Sequence, residues 1–175
     1  MSADDMELTE YLDRELVSAA LQPPRAGTAL HWHSPRSCKV ARMNRRISGR
    51  FEVKLVPLAL NDPQADPSLG RRAIDKQFHG ELQARSQGEM LSAGSPVQGS
   101  AGYVAIERVS GSLGGRSGSF VLMHNATMNR GVPQLSIVVV PDSGTGQLEG
   151  LSGSMGIRIE DQQHYYDFDY SLPDR

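Results

Sequence analysis

Glu107, His124 and His164 have the residue types and placement that suit acid–base chemistry, and Tyr103 and Tyr166 stand beside them as candidate ligand contacts. In "SFVLMHNA", His124 alternates with Phe120 and Leu122; in "HYYDFDYSL", His164 and Tyr166 alternate with Phe168 and Tyr170, opposite Tyr165, Asp167 and Asp169. Period-two alternation places each set on one strand face, and these apolar faces read as interior. In "YVAIERV", Tyr103 and Glu107 share one face and Val104 and Ile106 the other, and periodicity does not choose between them. With Glu107 inward, a carboxylate, two imidazoles and two phenols converge in a mostly apolar space. Burial and neighbouring charge there shift pKa values and support proton transfer. The same set also serves as a satisfied polar network within a core. His79 shares its face with Gln77 and Glu81 and reads as a surface residue.

Other chemistries fit less well. "HWH" (31–33) with Cys38 offers three metal-ligand types, but the spacing matches no standard zinc site and a fourth ligand is missing, so no metal is expected. "SIVVVPDSGTGQLEG" (136–150) begins as a nucleotide-binding loop does, with an apolar run and then glycines. Its spacing, Gly144-x-Gly146-x-x-x-Gly150, is not G-x-G-x-x-G, and the Lys-Ser/Thr of a P-loop is absent. The glycines at 150, 153 and 156 oppose the helix that would hold a phosphate. The stretch reads as a turn feeding a returning strand. Ser143 lacks the G-x-S-x-G elbow of a hydrolase, and no cofactor is implied.

The elements that position these residues divide near residue 46. "DDMELTEYLDRELVSAALQPP" predicts an amphipathic helix with Leu8, Tyr11, Leu12, Leu16, Ala19 and Ala20 on one face, ended by Pro23 and Pro24. Residues 25–46 read as loop. Residues 47–173 read as eight or nine short strands separated by turn residues, with the longest loop at 60–70. "GSLGGRSGSF" (111–120) and "GQLEGLSGSM" (146–155) repeat one glycine pattern at identical spacing, and a weaker copy occupies 80–90. Glycines inside strands mark bends or close backbone approach, which a closing sheet needs. The expected fold is a mainly β, single antiparallel barrel of about eight strands, with the N-terminal helix outside it.

The bulk numbers narrow the function classes. A chain of 175 residues with 38% hydrophobic and 22% charged residues makes one globular domain. A net charge of −2 favours neither nucleic acid nor an anionic membrane as partner. No apolar run approaches a membrane span, the acidic start is unlike a secretory signal, and a single cysteine fits a reducing cytoplasm.

"FEVKLVPL", "KQFHGEL", "YVAIE", "SGSFVLMHNATM", "VVVPDSGTGQLEGLSG" and "HYYDFDYSLP" together resemble the bacterial domain of unknown function 3224 family. The resemblance implies a small barrel like that of allene oxide cyclase, in a broadly lipocalin-like style. It implies no activity, because activity lives in a site and not in a fold. It does not cover residues 1–42, so Met43 is an expected natural start; the alternative is a genuine helix docked on the barrel. Three functions compete. In the first, a small apolar or aromatic molecule binds inside the barrel, oriented by His124, His164 and Tyr166. In the second, an isomerase, cyclase or hydrolase pairs Glu107 with His124 or His164. In the third, outer apolar faces such as Val104/Ile106 and Val121/Met123 build a homo-oligomer.

Overall fold

The structure is a computed structural model that describes residues 42–174 apart from 63 and 65. Eight antiparallel strands run in chain order: β1 (Arg42–Leu58), β2 (Leu69–Gly80), β3 (Leu82–Gly94), β4 (Ala101–Leu113), β5 (Arg116–Asn129), β6 (Val132–Val139), β7 (Ser152–Glu160) and β8 (Gln163–Pro173). Each pairs with its neighbour, and β1 pairs with β8 from Arg42↔Pro173 to Phe51↔His164, closing the barrel. The predicted N-terminal helix and the "HWH"/Cys38 group lie outside the described residues.

Alternation drives the closure. Inward positions such as Phe51, Phe78, Val109, Leu122, Tyr166 and Phe168 are buried, while their neighbours face out. The strands are longer than the short ones expected, because their ends carry polar residues on both faces and so hide the period. Thus β1 starts at Arg42, and residues 42–46, expected as loop, pair with 169–173 of β8. "KQFHGEL" is likewise not one strand: Gly80 (φ 111°) and Glu81 turn the chain, and Leu82 opens β3.

The two ends differ. At the end holding the β2–β3 and β4–β5 turns, Leu82, Leu113, Leu148, Leu151 and Leu172 join the main core and close the barrel. The 140–151 loop supplies two of these leucines. It takes over the free edge of β5, where β6 and β7 share only Ile137↔Met155 and Val138↔Ser154. Thr145 N–H donates to Ser119 O (2.8 Å), Ser119 N–H to Thr145 Oγ1 (3.0 Å) and Val121 N–H to Ser143 Oγ (3.0 Å). A 3-10 turn at Gly146–Leu148 then buries Leu148. The glycine loop is therefore a barrel plug. The sequence repeat survives in its second half: a Cβ on Gly118 or Gly153 would lie 2.1 Å from Thr145 O or 2.4 Å from Asp169 O. Its first half differs, being a strand in one copy and the 3-10 turn in the other.

Candidate functional site

The barrel's middle holds four polar side chains from four adjacent strands: Lys76 (β2), Ser86 (β3), Glu107 (β4) and His124 (β5). Glu107 is fully buried and accepts three hydrogen bonds. Lys76 Nζ donates to Oε1 (2.8 Å), His124 Nε2–H to Oε1 (2.8 Å) and Ser86 Oγ–H to Oε2 (2.6 Å). Lys76 and Glu107 are two strands apart; on the strand between them Ser86 pairs with Lys76, and Gly88 pairs with Glu107. A Cβ there would sit 2.1 Å from Ile106 O and 2.5 Å from Glu107 Cα, so only glycine lets the strands close over the ion pair.

Electrostatics fixes the protonation. Burial by itself would raise the Glu107 pKa, but the Lys76 charge and the His124 hydrogen bond outweigh it and hold the carboxyl well below its usual range. Burial pushes His124 down, aided by Lys76 and opposed by Glu107, which favours the neutral ring. With Nε2–H committed to Glu107, Nδ1 is the basic nitrogen. The cluster is a carboxylate, an ammonium and a neutral imidazole, with no net charge. Its only members with any exposure are Lys76 (6%) and His124 (3%), so these two would meet a molecule entering the barrel.

Above the cluster, toward the β1–β2, β3–β4 and β5–β6 loops, the filling changes. Inward positions there include the small residues Ser92, Ala105 and Ala126. Buried apolar residues form two groups, Ile74/Met90/Ala105 and Ala126/Met128, both packed against half-buried Tyr103. Val53 and Leu55 are also half-buried, and Arg72 shares the inward face of Ile74 and Lys76. The opposite half is one continuous aromatic and aliphatic core.

The structure brings Glu107 and His124 into contact, settles Tyr103 and Glu107 on the inward face of β4 and leaves Val104 and Ile106 outward. His164 lies on β8 against the Phe51 ring (centroids 5.2 Å), and Lys76 Nζ sits 5.4 Å from that ring's centroid. Phe51, on the strand between β8 and β2, thus packs beside both His164 and Lys76. Tyr166 is elsewhere: its hydroxyl donates to His79 O (3.1 Å) and accepts from Leu82 N–H (3.3 Å), tying β8 to the β2–β3 turn. Burial raises its pKa. His79 is on the outside, 3.0 Å from Glu52. Lys76 and Ser86 are absent from the candidates that periodicity supplies, although Lys76 shares the strand parity of Phe78, and a charge on an apolar face is the available signal. Among the described residues no group of three or more His, Cys, Asp or Glu could hold a metal, and no helix is long and apolar enough to cross a membrane.

Comparison with known proteins agrees with the barrel. The crystal structure of a protein with unknown function from the DUF3224 family of Shewanella oneidensis MR-1 is 50% identical to this chain, with a TM-score of 0.71. The similarity covers 76% of this chain and 100% of that one. No curated protein matches. The family model described as protein of unknown function (DUF3224) matches residues 47–170, most of the barrel. The chain belongs to this DUF3224 family.

Proposed function

We propose that the barrel binds a small, mainly apolar or aromatic molecule in the half above the Lys76–Glu107–His124 cluster, with the protein in the cytoplasm. The observation that carries this reading is the buried ion pair itself. An apolar pair of similar volume is often as stable as a buried ion pair or more so, and filling a core does not call for one. Lys76 has three N–H donors and one goes to Glu107, so a ligand oxygen meets a charged donor beside apolar walls. Fluorescence titration with 1-naphthol, an aromatic with one hydroxyl, tests this. Saturable binding that Ala105→Trp abolishes supports it; no saturable binding by wild type, or binding that survives Ala105→Trp unchanged, contradicts it.

A second reading rests on the 2.8 Å Glu107–His124 contact. A carboxylate that orients a neutral imidazole is the arrangement of a general base, with Lys76 as an adjacent acid. A bound molecule recovered chemically changed, and recovered unchanged from His124→Gln, supports an acid–base enzyme. Unchanged recovery from wild type supports a binding protein.

A further inference from the structure

We propose that the outer face of β3–β6 is a self-association surface, covered by the same face of a second copy of this chain. The exterior has two unlike sides. On β7, β8 and most of β1 and β2 the outward side chains are largely polar and cross-linked between strands: Glu52 with His79 at 3.0 Å, Arg158 with Asp167 at 2.9 Å and Arg46 with Asp169 at 3.5 Å; the exposed apolar residues there, Val56, Leu58 and Leu69, lie at strand ends. On β3–β6 a contiguous apolar cluster sits among polar neighbours such as Arg85, Gln87 and Arg108. Leu91 lies beside Val104, and Ile106 lies between Glu89 and Met123, with Val138 next in line. Leu91 is 51% exposed, Val104 50%, Ile106 50% and Met123 44%. The core is on the other side of the sheet, so these residues gain nothing from the fold alone. The largest contiguous apolar patch of a protein surface is often an interaction site, whereas singly scattered apolar residues need no such explanation.

Size and charge select the occupant. Four strands about 4.8 Å apart, with apolar outward positions in at most two rows about 7 Å apart, give a flat apolar footprint of roughly 270 Å². A groove of about 620 Å³ continues this face between the strands and Leu60, Asn61 and Arg71. The cluster and this groove form the apolar centre of a contact, and the polar positions around them supply the rest of the ~800 Å² per partner of a stable complex. The charged neighbours of this cluster are Glu89 and Arg108, one of each sign. At the rim Arg71 and Glu89 neutralise each other at 2.7 Å, so nothing favours a strongly acidic or basic partner. An apolar centre ringed by charges of both signs suits a two-fold contact with its own copy. A closed barrel offers no strand edge, leaving its faces as the route to assembly.

Sedimentation velocity of the full chain from about 10 to about 100 μM tests this, since mass action favours the assembled form as concentration rises. The expected mass is twice the 19.1 kDa of one chain, and Ile106→Lys/Met123→Lys should return it to one. A second arm keeps the test decisive if that variant does not fold. A photo-crosslinking residue at position 106, in mixed light and heavy isotope protein, should give light–heavy links to β4 and β5 peptides. A single-chain mass throughout the range overturns the proposal. So does a double variant that folds and stays doubled, or links only to residues 1–41 of the same chain, which would make that segment the occupant.

Discussion

Glu107→Gln removes one charge from the barrel's middle with almost no change in shape. Lys76, 6% exposed, then keeps its ammonium without a counter-charge, and the neutral amide that replaces the carboxylate accepts only part of its three hydrogen bonds. Breaking a buried pair from one side costs about 3–5 kcal/mol. Against a total of about 5–15 kcal/mol, that is a large fraction of the stability. For a domain of this size it corresponds to a fall in Tm of roughly 10–20 °C. Lys76→Met/Glu107→Gln removes both charges while the amide still meets Ser86 and His124, and should fall within about 2 kcal/mol of wild type. The coupling energy between the two sites is then at least about 2 kcal/mol. Urea unfolding followed by far-UV circular dichroism measures all four members of the cycle. A Glu107→Gln cost under about 1 kcal/mol, or a double variant that costs the sum of the singles, would refute the buried ion pair.

The same geometry sets three further outcomes. His124 has a depressed pKa in the fold, so the unfolded chain takes up a proton first as pH falls below about 6.5, and Glu107 adds the same sign below about 4.5. Stability is thus full above neutral pH and declines in acid; an equal urea midpoint at about pH 7.5 and about pH 5 contradicts this for His124. Gly88→Ala drives a Cβ into Ile106 O and the Glu107 backbone and should cost about 3 kcal/mol or more, whereas Gly102→Ala, 3.4 Å from its nearest neighbour, should cost about 1 kcal/mol or less. Equal thermal shifts for the two would be inconsistent with the close approach. Leu148→Ala should cost about 2–5 kcal/mol although it sits in a loop, because it plugs the barrel; a melting point like that of Gln147→Ala, an exposed neighbour, would count against the plug.

Most of the barrel is legible in the sequence because one buried face imposes period two. Spacing alone places His124 inward on the face of Phe120 and Leu122, and Tyr166 inward on that of Phe168. It does not place Glu107, since β4 has apolar residues on both faces: Ala105 and Val109 fill the core while Val104 and Ile106 coat the outside. The site is half visible for a related reason. Contacts across strands depend on register, and register is set by turns such as Gly80–Glu81 that the alternation runs straight through. Hence the alternation does not reveal Lys76 as the partner of Glu107, and of the other inward candidates His164 packs on Phe51 and Tyr166 holds a turn. The 136–150 stretch is the opposite case. Its glycine spacing argues against a phosphate, and the structure gives its Ser143 and Thr145 to the edge of β5.

Native mass spectrometry of the full chain purified from its own host asks outright whether a molecule is held above the Lys76–Glu107–His124 cluster. The expected spectrum has a non-covalent adduct on wild type that denaturation releases and that Ala105→Trp lacks, because indole fills the space beside Met90 and Tyr103. Bare protein mass for freshly purified wild type, or an adduct that Ala105→Trp retains in full, would contradict ligand binding at that place.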